Sequence, residues 1–122
     1  MFLEGSGMAR GNLVTPAALV RLLVFMNQHR WAKAWREALP IGGVDGTLQS
    51  RLTGPVTKGN VRAKTGTLRG VSALSGYLTT ASNEAIAFSI LVNNFGPGGA
   101  TEARAETDAL VELLATFAGR GE

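Results

Sequence analysis

Three β-prone stretches follow one another in the second half of the chain, and this succession constrains the fold more than any other feature. They are Val61–Leu68, Val71–Thr79 and Ala85–Val92, and Ala81–Glu84 between the last two is a plausible hairpin turn. We therefore expect an antiparallel meander of three strands. Ala85–Val92 is apolar on both faces, which predicts an inner strand that is covered on both sides.

Two helices are predicted before these strands from the spacing of apolar residues. Thr15 is expected to act as the N-cap of the first helix, with Pro16 at its first helical position. One face of this helix is expected to be buried: Leu19, Leu22, Leu23 and Met26. The second helix is short, ends at Pro40 and is expected to pack three large side chains inward: Trp31, Trp35 and Leu39.

A third helix is predicted after the strands, where it covers one face of the sheet. Thr101 is expected to cap it and Gly119 to stop it. Its buried stripe is expected to consist of four apolar residues: Leu110, Leu113, Leu114 and Phe117. Gly42–Leu48 is expected to be a turn in which the Asp45 carboxylate bonds its own backbone. These elements predict a mixed α/β fold of the α+β class.

The densest group of ligand-binding chemistry is the tetrapeptide Lys64-Thr65-Gly66-Thr67. It combines an ammonium, two hydroxyls and a backbone without a side chain, which suits an anionic ligand lying along an extended strand. Because side chains alternate along a strand, Lys64 and Gly66 share one side and Thr65 and Thr67 the other. Gly66 lets a ligand approach the backbone closely. Taken alone, the tetrapeptide is equally compatible with an ordinary strand end.

Composition disfavours several other classes of site. The chain has no cysteine, and His29 is its one histidine, so we expect no metal site and no cofactor. Met1–Gly7 lacks the pattern of a signal peptide, and no apolar stretch reaches the length of a membrane span. Ser6 lies between two glycines but lacks the spacing and the preceding strand of a nucleophile elbow, which favours a structural turn.

A small anionic ligand explains the charge distribution as well as a nucleic acid does. The formal net charge is +3, and several basic residues gather near the tetrapeptide: Arg51, Lys58, Arg62, Lys64 and Arg69. No aromatic residue lies among them to stack on a base. We therefore expect no nucleic-acid partner.

Three stretches, in this order and at this spacing, resemble one enzyme family. They are Glu4–Val14, Asp45–Leu48 and Val61–Tyr77. They resemble the C-terminal part of D-alanyl-D-alanine carboxypeptidases of the S13 peptidase family, the class C low-molecular-mass penicillin-binding proteins. The resemblance covers nearly the whole chain, so residues 1–122 are interpreted as the C-terminal portion of a transpeptidase-like penicillin-binding domain.

The resemblance implies a function and a role for each residue of the tetrapeptide. It implies a β-lactamase and transpeptidase-like fold, and a serine enzyme that removes the terminal D-alanine of a peptidoglycan stem peptide and is acylated by β-lactams. Lys64 would hold charge and relay protons, and the hydroxyls of Thr65 and Thr67 would bind the substrate carboxylate. The backbone N–H of Thr67 would be an oxyanion-hole donor, while Gly66 gives clearance. The full-length family is extracytoplasmic, in the periplasm or cell wall.

The chain departs from the family pattern where the nucleophile is concerned. No serine has lysine three residues later or asparagine two residues later, so the S-x-x-K and S-x-N segments of the family are absent. We therefore interpret the chain as one wall of an active site, inactive alone. The alternative is a non-catalytic cell-wall ligand-binding or protein-interaction module. Without the family's earlier strands, Ala85–Val92 would be an unpaired edge that favours self-association.

Overall fold

Two helices precede a three-stranded sheet and one helix follows it in the computed structural model, which describes residues 2–119. The helices are α1 (Pro16–Asn27), α2 (Ala32–Glu37) and α3 (Ala100–Thr116). The strands are β1 (Arg62–Leu68), β2 (Val71–Thr79) and β3 (Ala85–Asn93). A single 3₁₀ turn, Gly46–Leu48, lies in the long connection between α2 and β1. The predicted α+β class is confirmed.

The three strands form the predicted antiparallel meander, in the order β1-β2-β3. Leu68 pairs with Val71 across the first hairpin, and Thr79 pairs with Ala85 across the second. Strand β3 lies at one edge of the sheet formed by residues 2–119, which is the position expected for Ala85–Val92 without the earlier strands of the family. Apolar residues on both faces of a strand indicate that both faces are covered. They do not indicate whether the edges of the strand are paired.

Helix α3 covers one face of the sheet, but not through the predicted stripe. Its buried residues recur every fourth position: Ala103, Thr107, Val111 and Ala115. Three residues of the predicted stripe are about half exposed or more, Leu110 at 50%, Leu113 at 68% and Phe117 at 49%. The fourth, Leu114, is partly buried against the core. Mostly short side chains on the buried face let the helix approach the sheet closely. The helix begins at Ala100 with Gly99 as its N-cap, so Thr101 lies inside the first turn and does not cap it.

Helices α1 and α2 lie before the sheet in the chain, and each confirms only part of its predicted pattern. Thr15 is the N-cap of α1, and its hydroxyl accepts a hydrogen bond from the Ala18 amide at 3.1 Å. Leu23 is buried, but Leu22 is 45% exposed, so the buried stripe is narrower than predicted. Trp31 is 57% exposed because α2 starts only after it, which takes it out of the helical stripe.

A chain of hydrogen bonds fastens both helices to the central strand. The Trp35 indole N–H donates to the Tyr77 hydroxyl at 2.9 Å, and that hydroxyl donates to the Leu23 carbonyl. Burial raises the pKa of Tyr77, so the phenol keeps its proton at neutral pH. The face of β2 opposite to α3 is therefore bound to α1 and α2 through one tyrosine.

Candidate functional site

The outer edge of β1, the edge that faces away from β2, is free only over part of its length. Pro40–Gly42 occupies its start, where the Ala63 amide donates to the Pro40 carbonyl at 3.0 Å and the Gly42 amide donates to the Val61 carbonyl at 2.8 Å. Beyond Ala63 no strand of the described chain pairs with this edge. The free part of the edge therefore begins at the predicted tetrapeptide.

The backbone amides of Thr65 and Thr67 point out of the sheet along this free edge. Residues two apart in a strand direct their N–H groups to the same side. The Ala63 amide points away from β2 to reach Pro40, so the amides of Thr65 and Thr67 share that direction. An incoming ligand thus meets two parallel N–H donors that the β1–β2 ladder does not use.

The Lys64 ammonium lies beside the same edge, although its side chain starts from the opposite face to the two threonines. Its Nζ donates to the Thr65 carbonyl at 2.7 Å. The side chain is exposed. The ammonium therefore sits near the two outward amides, in a position to add positive charge to whatever binds there.

The side chains of Thr65 and Thr67 open into a groove of about 530 Å³ that lies between β1, the 3₁₀ turn and α3. Five hydroxyls line this hydroxyl groove: Thr47, Ser50, Thr65, Thr67 and Thr101. Arg51 and Arg104 line it as well. Arg51 is neutralised by a bidentate pair with Asp108, at 2.7 and 3.1 Å, whereas Arg104 makes no ion pair within residues 2–119. The groove therefore suits an anion.

Gly66 lies in the free part of β1 and is not required by the packing of the sheet. A Cβ built on it would meet only the Ala73 Cβ, at 3.4 Å, which is ordinary contact. Gly76 is different, because a Cβ there would collide with the Arg62 carbonyl and the Ala63 Cα on the neighbouring strand. Glycine at position 66 thus leaves open space above the strand instead of relieving a clash within the fold.

The loop before α1 carries the Glu4–Val14 stretch and reaches the hairpin end of β1. Hydrogen bonds from the Ser6 side chain and from the amides of Ser6 and Ala9 lower the pKa of Glu4. The Ser6 hydroxyl accepts from the Met8 amide at 3.1 Å, which agrees with its interpretation as a turn residue. Arg10 lies with Thr67 and Arg69 in a second groove of about 760 Å³.

Sequence reasoning missed Thr47 and Arg104 as members of the site. The Thr65 hydroxyl donates to the Thr47 hydroxyl at 3.0 Å, although the two residues are 18 positions apart. Thr47 belonged to the Asp45–Leu48 stretch that carried the family resemblance, which was the available signal. Arg104 had none. Within residues 2–119 no group of three metal-ligand side chains occurs, and none of the described helices is long and apolar enough to cross a membrane.

Comparisons with known proteins identify close similarity over almost the whole chain. The model of the D-Ala-D-Ala carboxypeptidase 3 (S13) family matches residues 1–117. A D-alanyl-D-alanine carboxypeptidase of Actinomadura sp. (strain R39) is 46% identical over 121 residues, which is 95% of this chain and 22% of that protein. The carboxypeptidase DacB of Haemophilus influenzae is 39% identical over 97 residues, 78% of this chain and 20% of that protein.

Solved structures show the same fold. Penicillin binding protein 4 of H. influenzae has a TM-score of 0.85 at 33% identity, over 96% of this chain and 28% of that one. A penicillin G-acylated predatory endopeptidase of Bdellovibrio bacteriovorus, at 22% identity and a TM-score of 0.76, covers 93% of this chain and 33% of its own and shares the fold alone. The chain spans about a fifth of the length of the first two curated relatives.

Proposed function

The chain belongs to the D-Ala-D-Ala carboxypeptidase 3 (S13) family, and from this membership we propose that it forms the substrate-carboxylate and oxyanion wall of a serine-type carboxypeptidase active site. The nucleophile comes from another part of the enzyme. The observation that carries this proposal is the free edge of β1, where two outward amides, an ammonium and a hydroxyl groove lie together. The substrate is a peptidoglycan stem peptide, and a β-lactam takes its place in acylation.

The Thr67 amide serves as an oxyanion-hole donor in this proposal. When a serine attacks the peptide carbonyl, the carbonyl oxygen becomes negative and needs donors that are already aimed at it. An N–H at a free strand edge meets that need without breaking a bond of the sheet. One such donor is worth about 3 kcal/mol of transition-state stabilisation.

The remaining groups of the tetrapeptide bind and orient the ligand. The hydroxyls of Thr65 and Thr67 donate to the terminal carboxylate of the substrate, and Lys64 holds positive charge and relays protons near the nucleophile. Gly66 leaves the room that the ligand backbone needs above β1. All three roles use groups at the free edge or in the hydroxyl groove. The whole enzyme works outside the cytoplasm, where its substrate lies.

The isolated chain should form no covalent adduct with penicillin and should release no D-alanine. Covalent catalysis needs an activated nucleophile, and none of its serines has the lysine or asparagine partner of the family pattern. Intact-mass measurement after incubation with a labelled penicillin checks this. A mass increase of one penicillin on any serine of the chain would contradict it.

A hybrid enzyme provides the positive control. In it, this chain replaces the matching segment of the Actinomadura carboxypeptidase, to which it is 46% identical. We expect the hybrid to be acylated by penicillin, because the relative supplies the nucleophile and this chain supplies the wall. A folded hybrid that binds the stem peptide but resists acylation would favour the non-catalytic binding module instead.

We further propose that the isolated chain associates with itself through β3. The outer edge of β3 has no partner strand within residues 2–119, and its side chains are apolar on both faces. Such an edge pairs readily with another chain. Ala85→Lys should therefore shift the chain toward the monomer in sedimentation velocity, since Ala85 is exposed and its change leaves the Ser75–Ser89 hydroxyl bond intact.

Thr79→Lys is the matched control for this association. Thr79 is exposed and pairs with Ala85, but it lies on the central strand, away from the free edge. It adds the same charge and should leave association unchanged. The proposal fails if the unmodified chain is a stable monomer at high concentration with slow amide exchange along β3.

A further inference from the structure

Three residues of the Asp45–Leu48 stretch have clear structural tasks, and Thr47 does not. The Asp45 carboxylate accepts from the Ile41 amide at 2.7 Å. Gly46 has a φ of +54°, a backbone conformation that favours glycine. Leu48 is fully buried in the core. Thr47 is exposed, and its hydroxyl meets Thr65 in the hydroxyl groove.

We propose that Thr47 is a further carboxylate-binding residue of the site, and that it helps to set the preference for ligands that carry a carboxylate. This inference rests on the proposed function, since it adds a third hydroxyl to the two that are proposed to bind the carboxylate. The contact that supports it is the 3.0 Å hydrogen bond from the Thr65 hydroxyl to the Thr47 hydroxyl. Both side chains line the same groove as Thr67.

The hydrogen bond between the two hydroxyls shows what Thr47 can add. Each threonine hydroxyl has a single proton to donate and lone pairs that accept, and it rotates to suit its partner. In the structure Thr65 donates its proton to Thr47, which leaves the proton of Thr47 to point into the groove. When a carboxylate binds, the Thr65 hydroxyl rotates to donate to it as proposed above, and Thr47 joins Thr65 and Thr67 as a third donor.

The turn that carries Thr47 is held firmly in place. The Gly43 amide donates to the carbonyls of Leu48 and Arg51, at 2.9 and 2.8 Å. The side chain of Arg51 is in turn fixed to Asp108 on α3 by the bidentate pair. A hydroxyl on such a support is already in position before a ligand binds. Binding of the ligand therefore costs little conformational entropy of the protein.

The test compares an acidic ligand with its neutral form in the hybrid enzyme. Acylation rate constants are measured for penicillin G and for its methyl ester, which lacks the carboxylate charge. Thr47→Val keeps the shape of the side chain and removes the hydroxyl. We expect it to slow acylation by the acid about tenfold, as the loss of a hydrogen bond to a charged group predicts, and to change acylation by the ester little. Thr47→Ser should restore the preference.

Thr53→Val is the matched control, because Thr53 is an exposed threonine of the same connection that does not line the hydroxyl groove. It should leave both rate constants unchanged. If Thr47→Val slows the acid and the ester equally, Thr47 only supports the turn, and the inference is overturned. The same holds if Thr47→Val has no effect. A folded hybrid that is not acylated at all would overturn the proposed function first, and this inference with it.

Discussion

Lys64→Ala in the hybrid enzyme is expected to lower the acylation rate constant about a hundredfold or more, as removal of a group aimed at developing negative charge does in other enzymes. The Lys64 ammonium lies at the free edge of β1, 2.7 Å from the Thr65 carbonyl. In the proposed function, a bound acyl group would place both a carboxylate and an oxyanion at that edge. Once the substrate and the nucleophile-bearing part of the enzyme cover this edge, the loss of one positive charge would be poorly compensated by water. Stopped-flow acylation by a fluorescent penicillin measures the effect.

The stability of the fold should be almost unaffected by this change. Lys64 is exposed, and it makes no ion pair within residues 2–119. Lys58→Ala is the matched control, because it removes an equal charge from an exposed lysine that lines neither the hydroxyl groove nor the groove at Arg10. Normal acylation by the Lys58 variant and a strong loss for the Lys64 variant are expected. A near-normal rate for Lys64→Ala would remove Lys64 from the site.

Gly66→Val should cause a loss of acylation comparable to that of Lys64→Ala, for a steric reason. The fold tolerates a side chain at this position, because a Cβ would meet only the Ala73 Cβ at 3.4 Å. Valine also favours a strand. Its two methyl groups would instead fill the space proposed for the ligand backbone. Ligand binding should therefore weaken while the sheet stays folded.

Two further variants separate ligand exclusion from misfolding. Gly66→Ala adds a single methyl group and should cause a smaller loss than valine. Gly76→Ala, on the neighbouring strand, should prevent normal folding, because its Cβ would collide with the backbone of β1. Thermal unfolding of each variant is measured beside its acylation rate. If Gly66→Val acylates at a normal rate, the ligand does not lie over this part of β1.

The features of the fold that depend on residues close together in the sequence could be predicted. Strand alternation, the hairpins and the Thr15 cap are local, and the structure contains all of them. The buried face of α3 could not be predicted, because the helix has two apolar sides and only packing decides which one meets the sheet. Trp31 illustrates a second limit of sequence-based prediction, which is the exact start of a helix. Helix α2 begins at Ala32, one residue after Trp31, so the Trp31 side chain is not part of the helical stripe and is exposed.

The candidate site divides in the same way. Its four contiguous residues, from Lys64 to Thr67, carry their chemistry within one strand and were recognisable as a group. Thr47 and Arg104 join them only through the packing of the 3₁₀ turn and α3 against β1. No spacing rule connects residues on three separate elements, so this half of the groove required the fold.

The short segment Pro40–Gly42 limits how much of a peptide the edge of β1 can accept. A ligand that pairs antiparallel with Thr65–Thr67 directs its carboxyl end toward Ala63. The edge there is already bonded, since the Ala63 amide and the Val61 carbonyl are taken by Pro40 and Gly42. A longer peptide would have to turn away at this point, whereas a peptide that ends there fits. In the proposed function, the blocked edge would therefore favour ligands that end at this point, as an enzyme that removes one residue from a chain end requires.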